Sequence, residues 1–373
     1  MDAAVIERAR SVVGVAAANA DEAERTRRLP AATVEALTAA GLMRLCVPPE
    51  YGGPGVDPMT LVTAVETVAQ GDGAAGWCSM IASTTSSLSL LLPADTACTI
   101  FGPLDSVAGG VFAPNGTASA VDGGFRVSGR WQWGSGTQHC HWIVGGARCD
   151  DGTFRLCWFP AAEVEFHDTW YTSGMRGTGS LDYSVDDALV GAEFTTQPGA
   201  TRPVVDAPLA DFPMFALLAV GIAGVALGIA RHALDELVAL ATDKHPQYAS
   251  RSLAEQPYTQ IEVSRAEARL RSGRALLLDE LATTWDVALA GGQIDVARRV
   301  AMRLAANHAT ECAVAAVDTA YTLAGGTSVY SASVLQRCLR DVHTATQHVM
   351  VAPKLHATLG RSLLGLDIDT SML

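Results

Sequence analysis

The chain has 373 residues, 49% of them hydrophobic and 17% charged, which is enough apolar material for a substantial core and for two or three domains. A formal net charge of −13, with no cluster of lysine and arginine, excludes the phosphate-neutralising surface that nucleic acid requires. The expected partners are therefore small molecules and other subunits.

Met1-Asp2-Ala3-Ala4 carries an early acid where a signal peptide would carry basic residues before an apolar stretch, so the expected compartment is cytoplasmic. Residues 1–105 read as a helical domain, with apolar residues at three-and-four spacing over 5–18, 34–42, 61–68 and 74–92. Between them, Pro48-Pro49-Glu50-Tyr51-Gly52-Gly53-Pro54-Gly55 demands an ordered loop, because its prolines and glycines fix backbone angles that a helix does not use.

Over 106–200 the pattern changes to short β-type runs at 125–129, 142–144, 154–159 and 183–185, punctuated by glycine and aspartate turns. Trp131, Trp133, Trp142, Trp158 and Trp170 concentrate here, as expected for a compact β-domain with aromatic faces. Trp131 and Trp133 lie two apart and share a face if the strand is regular. His139-Cys140-His141 alternates faces on a strand, so its side chains cannot converge on a metal ion, and no metal site is expected. The eight cysteines form no Cys-x-x-Cys pair and read as buried thiols.

Residues 201–373 return to helix, expected at 215–243, 257–289, 295–323, 333–349 and 353–364, with Gly291-Gly292 and Gly325-Gly326 as stops. The apolar stretch 212–230 holds four glycines or prolines and runs into Arg231 and His232, so it reads as a buried core helix and no membrane span is expected. Near the end, Arg340-Asp341-Val342-His343-Thr344-Ala345-Thr346-Gln347-His348 places two imidazoles, which titrate near neutrality, in an otherwise apolar helical tail. At about 100° per residue the two point roughly 140° apart, so only one can face a small pocket. His348 shares a stripe with Asp341 and Thr344 and is the better candidate for proton transfer, with His343 the second.

This layout, together with Gly41-Leu42, the 47–55 loop and Gly228-Ile229-Ala230-Arg231-His232-Ala233-Leu234-Asp235-Glu236, resembles the acyl-CoA dehydrogenase superfamily over nearly the whole chain. The resemblance implies an α+β fold with an N-terminal helical domain, a small middle β-barrel domain and a C-terminal four-helix bundle. Gly129-Arg130-Trp131-Gln132-Trp133-Gly134-Ser135-Gly136 resembles the strand beside the flavin ring, which implies that Trp133 covers the ring and Ser135 meets its N5 edge. Gly174-Met175-Arg176-Gly177-Thr178-Gly179-Ser180 resembles a second flavin-facing segment, with Thr178 and Ser180 offering hydroxyls. Arg176 would serve either a flavin phosphate or an acid across the domain interface. Gly325-Gly326-Thr327 resembles a turn that approaches a neighbouring subunit's cofactor.

A dehydrogenase of this family needs a glutamate to take the substrate's α-proton, and its two customary places fall here on Val349 and Leu218. The Arg-Asp-and-histidine tail, with Asp72-Gly73-Ala74-Ala75-Gly76-Trp77, looks closer to the two-component flavin-dependent monooxygenases of the same fold. That branch implies FAD, or else FMN, supplied reduced by a separate reductase. It implies oxygen transfer from a C4a-hydroperoxide to a small aromatic, polycyclic or amine substrate, and it implies a homotetramer. Catalytic roles fall on His348, His343 and Ser135. The alternatives are an acyl-CoA dehydrogenase with a displaced base and a non-catalytic member of the fold. One departure bears on the flavin: Asp243-Lys244-His245-Pro246-Gln247-Tyr248 lacks the family's cofactor-touching arginine.

Overall fold

Residues 1–373 are described by a computed structural model. Five helices open the chain, α1 (Ala3–Thr26), α2 (Ala31–Ala39), α3 (Pro58–Ala69), α4 (Gly73–Ser86) and α5 (Ala94–Phe101). Aspartates start three of them: Asp2, Asp57 and Asp72 each accept backbone N–H groups of the first turn that have no intrahelical partner. The helix expected over 74–92 is regular only to Ser86. Ser86, Ser87 and Ser89 then donate to carbonyls three residues back at 2.6–2.7 Å and tighten the chain into a 3₁₀ turn. Within the proline-rich loop, Pro49–Tyr51 also forms a 3₁₀ turn where none was expected. Helix α5, only eight residues long, shows too little periodicity to be seen in the sequence.

Seven strands follow: β1 (Ala108–Val121), β2 (Gly124–Gly134), β3 (Trp142–Cys149), β4 (Phe154–Pro160), β5 (Glu165–His167), β6 (Leu181–Gly191) and β7 (Thr195–Thr196). They form one sheet in the order β5-β6-β2-β1-β3-β4-β7, the small β-domain expected between the two helical regions. Only β1 and β3 run parallel. Strand β1 escaped sequence reading because its glycines and Pro114 interrupt the alternation, and the register slips on both sides of that proline. Trp131 is fully buried in the sheet's own core, stacked on Tyr183 at 5.3 Å and donating its N–H to the Gly146 carbonyl.

The rest is helical: α6 (Met214–Asp243), α7 (Pro257–Leu289), α8 (Val296–Ala324), α9 (Val334–Ala345) and α10 (Leu355–Leu363). Helix α6 is long and apolar enough to cross a membrane by composition, yet most of it is buried against α3, α4, α8 and α9. Helix α9 ends at Ala345, short of the expected 349, so His348 lies in an irregular turn instead of on the helix. Cys98 is exposed and Cys140 and Cys149 are half-buried, so the reading of every cysteine as a buried thiol fails at these three.

The first and last helical regions share a hydrophobic core of 79 buried residues, which Ala108, Val144, Leu156 and Trp158 of the sheet also enter, and the sheet has a second core of 11. The contact of α3 with α6 is close because Gly228 has no side chain: a Cβ there would stand 2.2 Å from the Glu66 carbonyl oxygen and 2.7 Å from the Ala69 methyl. Gly228→Ala is therefore expected to destabilise the protein by about 1–3 kcal/mol through overpacking. A lowered urea midpoint at unchanged slope would show this; an unchanged midpoint would mean that the two helices part at no cost.

Candidate active site

The site forms where strand β2 ends. Its pairing with β6 passes from Trp131 opposite Tyr183 to Gly134 opposite Leu181, so three steps on one strand match two on the other. The extra residue breaks the alternation. Trp133 takes a left-handed backbone (φ 67°) and leaves its side chain 69% exposed, so it does not share a face with the buried Trp131 as a regular strand would require. Ser135, two residues on, turns inward and is buried.

There Ser135 accepts a hydrogen bond from the Trp77 indole N–H of α4 at 3.0 Å and meets the Ser180 hydroxyl at 2.7 Å. Ser180 in turn meets the Thr178 hydroxyl at 2.7 Å, and Thr178 donates to the Met175 carbonyl at 2.8 Å. The other side of Trp77 packs edge-on against His348, ring centres 5.8 Å apart. Ser135 and His348 thereby flank one indole, with Ser180 and Thr178 in line behind Ser135. The Asp72–Trp77 motif assigns Trp77 no role of its own; the packing of α4 against the end of β2 does.

Two buried charged groups hold this assembly. Asp341 of α9 accepts the Met175 N–H at 2.5 Å, anchoring a residue that itself has a left-handed backbone (φ 52°). Gly174 lets the same segment close on α9, since a Cβ there would stand 2.1 Å from the Arg340 carbonyl oxygen. Burial pushes the Asp341 carboxyl up to about 7 against the opposing Met175 hydrogen bond. Arg303 of α8, fully buried, donates to the carbonyls of Met350 and Met372 and so fixes the turn that carries His348. Burial, reinforced by Arg303, pushes the His348 imidazolium down to about 4. Its Nδ1 accepts the Met350 N–H at 3.2 Å, so the neutral ring carries its proton on Nε2. No sequence signal distinguished Arg303 from the other arginines of α8.

Several expected site residues lie elsewhere. His343 is half-exposed and pairs with Asp318 of α8 at 2.9 Å, so it does not join the cluster around Trp77. Arg176 lies against Glu24 of α1 at 3.7 Å, the acid across the interface, and Glu24 also takes Arg340. Gly325 and Gly326 turn the chain at the end of α8, where Lys244 donates to the Ala324 carbonyl and to Thr327. His139 belongs to a 3₁₀ turn, not the expected strand, and His141 accepts the Val107 N–H.

The residues present fit a flavin. An exposed indole beside a bulged strand offers a plane for a fused ring, and the Ser135 oxygen keeps a lone pair for the ring's polar edge. None of the four buried carboxylates is free for proton abstraction, since Asp72 caps α4, Asp341 holds Met175, Glu66 pairs with Arg274 and Asp182 pairs with Arg130.

The fold and this cluster define an acyl-CoA dehydrogenase-like flavoprotein. Models of the acyl-CoA dehydrogenase N-terminal and C-terminal domains match residues 3–93 and 220–353. The chain is 33% identical to an indole-3-acetate monooxygenase of Pseudomonas putida, over 92% of this chain and 89% of that one. It is 27% identical to the oxygenase subunit HsaA, a flavin-dependent monooxygenase of Rhodococcus jostii, over 95% and 96% of the two chains. The crystal structure of XiaF from Streptomyces, in complex with FADH2 and glycerol, superposes with a TM-score of 0.91 at 26% identity, covering 99% of this chain and 97% of that one. The chain belongs to the flavin-dependent monooxygenases of the acyl-CoA dehydrogenase superfamily. It is a flavin-dependent oxidoreductase.

The anchor at Asp341 gives a pH-dependent prediction. Because its folded value is raised, Asp341 contributes most to stability below the ordinary carboxylate range, and that contribution is lost as pH rises through about 7. Asp341→Asn keeps the acceptor without the buried charge, so its melting temperature relative to wild type should climb between pH 4 and 7 and then level off. Asp341→Ala orphans the Met175 N–H and should cost about 1–3 kcal/mol relative to Asp341→Asn at any pH. A constant Asn-minus-wild-type difference across that range would count against a buried, titrating Asp341.

Proposed function

We propose that the protein is the oxygenase component of a two-component system, taking reduced FAD from a separate reductase, with FMN as the alternative, and oxygenating a small aromatic substrate with O₂. The observation that carries this reading is the pairing of a hydroxyl and a neutral imidazole around Trp77, with no free carboxylate beside them. Support comes from relatives named as indole-3-acetate monooxygenase and as an FADH2-dependent resorcinol hydroxylase. When bound, the reduced flavin supplies the electrons that activate oxygen. The protein's own part is to cover the ring with Trp133, meet its N5 edge through Ser135 and present the His348 Nε2–H as a hydrogen-bond donor. With a value near 4 and Nδ1 already engaged, His348 suits donation better than the base role that its sequence position implied. We also propose a homotetramer in which the Gly325-Gly326 turn approaches a partner's cofactor, and a cytoplasmic location.

The test supplies a reductase, NADH, FAD and O₂ and measures hydroxylated product from indole-3-acetate and simple phenols. Product should form only with reduced flavin; bleaching of oxidised flavin by acyl-CoA thioesters, without product, would overturn the reading. His348→Ala should lower product formation about a hundredfold, the scale of losing one aimed donor, while the affinity for reduced flavin stays within about threefold of wild type. His348→Gln, which retains a donor, should recover part of the loss. Because His348 stays neutral above about 4, the wild-type rate should show no ionisation of this residue between pH 6 and 8. A histidine-dependent pKa in that window would return it to the base role.

A further inference from the structure

Each hydroxyl in the chain from Ser135 to Met175 has one hydrogen, and that count fixes the direction of every bond. The Met175 carbonyl can only accept, so the Thr178 hydrogen is committed to it at 2.8 Å. Thr178 must then accept in its 2.7 Å bond with Ser180, which commits the Ser180 hydrogen. Ser180 must in turn accept from Ser135 at 2.7 Å, which commits the Ser135 hydrogen. At the other end the Trp77 indole can only donate, so it takes one lone pair of the Ser135 oxygen. What Ser135 retains is a single lone pair and no free hydrogen. All four polar side chains are buried, so no bulk water relaxes this arrangement.

We infer that this one-way chain makes Ser135 an obligate hydrogen-bond acceptor, and that Thr178, Ser180 and Trp77 are positioning residues that select the redox state of the bound flavin. The inference rests on the proposed placement of the flavin N5 edge beside Ser135. Reduced flavin carries a hydrogen on N5 and can donate to the remaining lone pair. Oxidised flavin presents a lone pair at N5, which would face the lone pair of Ser135 with no hydrogen between them. An oxygenase fed with reduced flavin by diffusion gains from that discrimination, because the oxidised form is left to return to the reductase.

The experiment measures the affinities of oxidised FAD and of anaerobically reduced FAD for the wild type and for Ser180→Ala, Thr178→Val and Thr178→Ser. Wild type should prefer the reduced form. Ser180→Ala and Thr178→Val remove an acceptor from the chain, freeing the Ser135 hydrogen to turn toward N5. Oxidised FAD should then bind about tenfold more tightly, the scale of one net hydrogen bond, while the affinity for reduced FAD changes by less than about threefold. The potential of the bound flavin should fall by about 30 mV, which is that tenfold change for a two-electron couple. Thr178→Ser preserves the count of hydrogens and should keep the wild-type preference. Loss of packing alone would weaken both redox forms together, and that result, or an unchanged ratio in both Ser180→Ala and Thr178→Val, overturns the inference while leaving the flavin site standing. Wild type binding neither form would overturn the placement itself and the inference with it.

Discussion

The hydrogen bond from the Met175 N–H to the Asp341 carboxylate is the constraint on which the site depends. It joins the last bundle segment to the sheet domain at a residue that holds an unfavourable left-handed backbone, and it fixes the carbonyl on which the hydroxyl chain ends. The same carbonyl takes the Trp170 indole N–H at 3.1 Å. A buried carboxylate is a costly anchor, since burial raises its ionisation toward neutrality, but it gives a direction that an apolar contact cannot.

Around that anchor the site is assembled from elements far apart in sequence. Trp77 comes from a helix capped by Asp72, Ser135 from the end of a bulged strand, Thr178 and Ser180 from a short turn, and His348 from a loop pinned by Arg303. Because the two helical regions share one core, the helix bearing Trp77 and the turn bearing His348 are held in a fixed relation. The sheet enters the same core through Ala108, Val144, Leu156 and Trp158 and keeps a smaller core of its own, so Ser135 is presented to them from a packed face. A dehydrogenase site of this fold would set a carboxylate opposite the flavin; here the customary positions are Val349 and Leu218, and the polar groups that converge are hydroxyls and a neutral imidazole.

Much of the fold was legible in the chain. The long bundle helices carry unbroken apolar periodicity, and α7 runs over the expected residues, Pro257–Leu289. What escaped was short or irregular: α5, the interrupted β1, and the early end of α9. For the site, motif resemblance reached Ser135, Thr178, Ser180 and His348, which do come together. It also drew in His343, whose side chain pairs with Asp318 instead, and Arg176, which meets Glu24, the interdomain acid that was one of its two expected partners. Identity and spacing do not say which acid a surface cation will meet.

The sequence by itself determined the helix–sheet–helix order, the burial of the apolar helix α6 and the absence of glutamate from the two expected places, because periodicity, composition and residue identity are local properties. Only the tertiary structure decided that Trp133 and Trp131 part company, since that follows from one extra residue in the pairing of β2 with β6. Only the tertiary structure brought Trp77 between Ser135 and His348, assigned the imidazole proton to Nε2, and gave the hydroxyl chain its single direction. Those features depend on where each hydrogen can go once distant segments are packed together. No single segment carries that information.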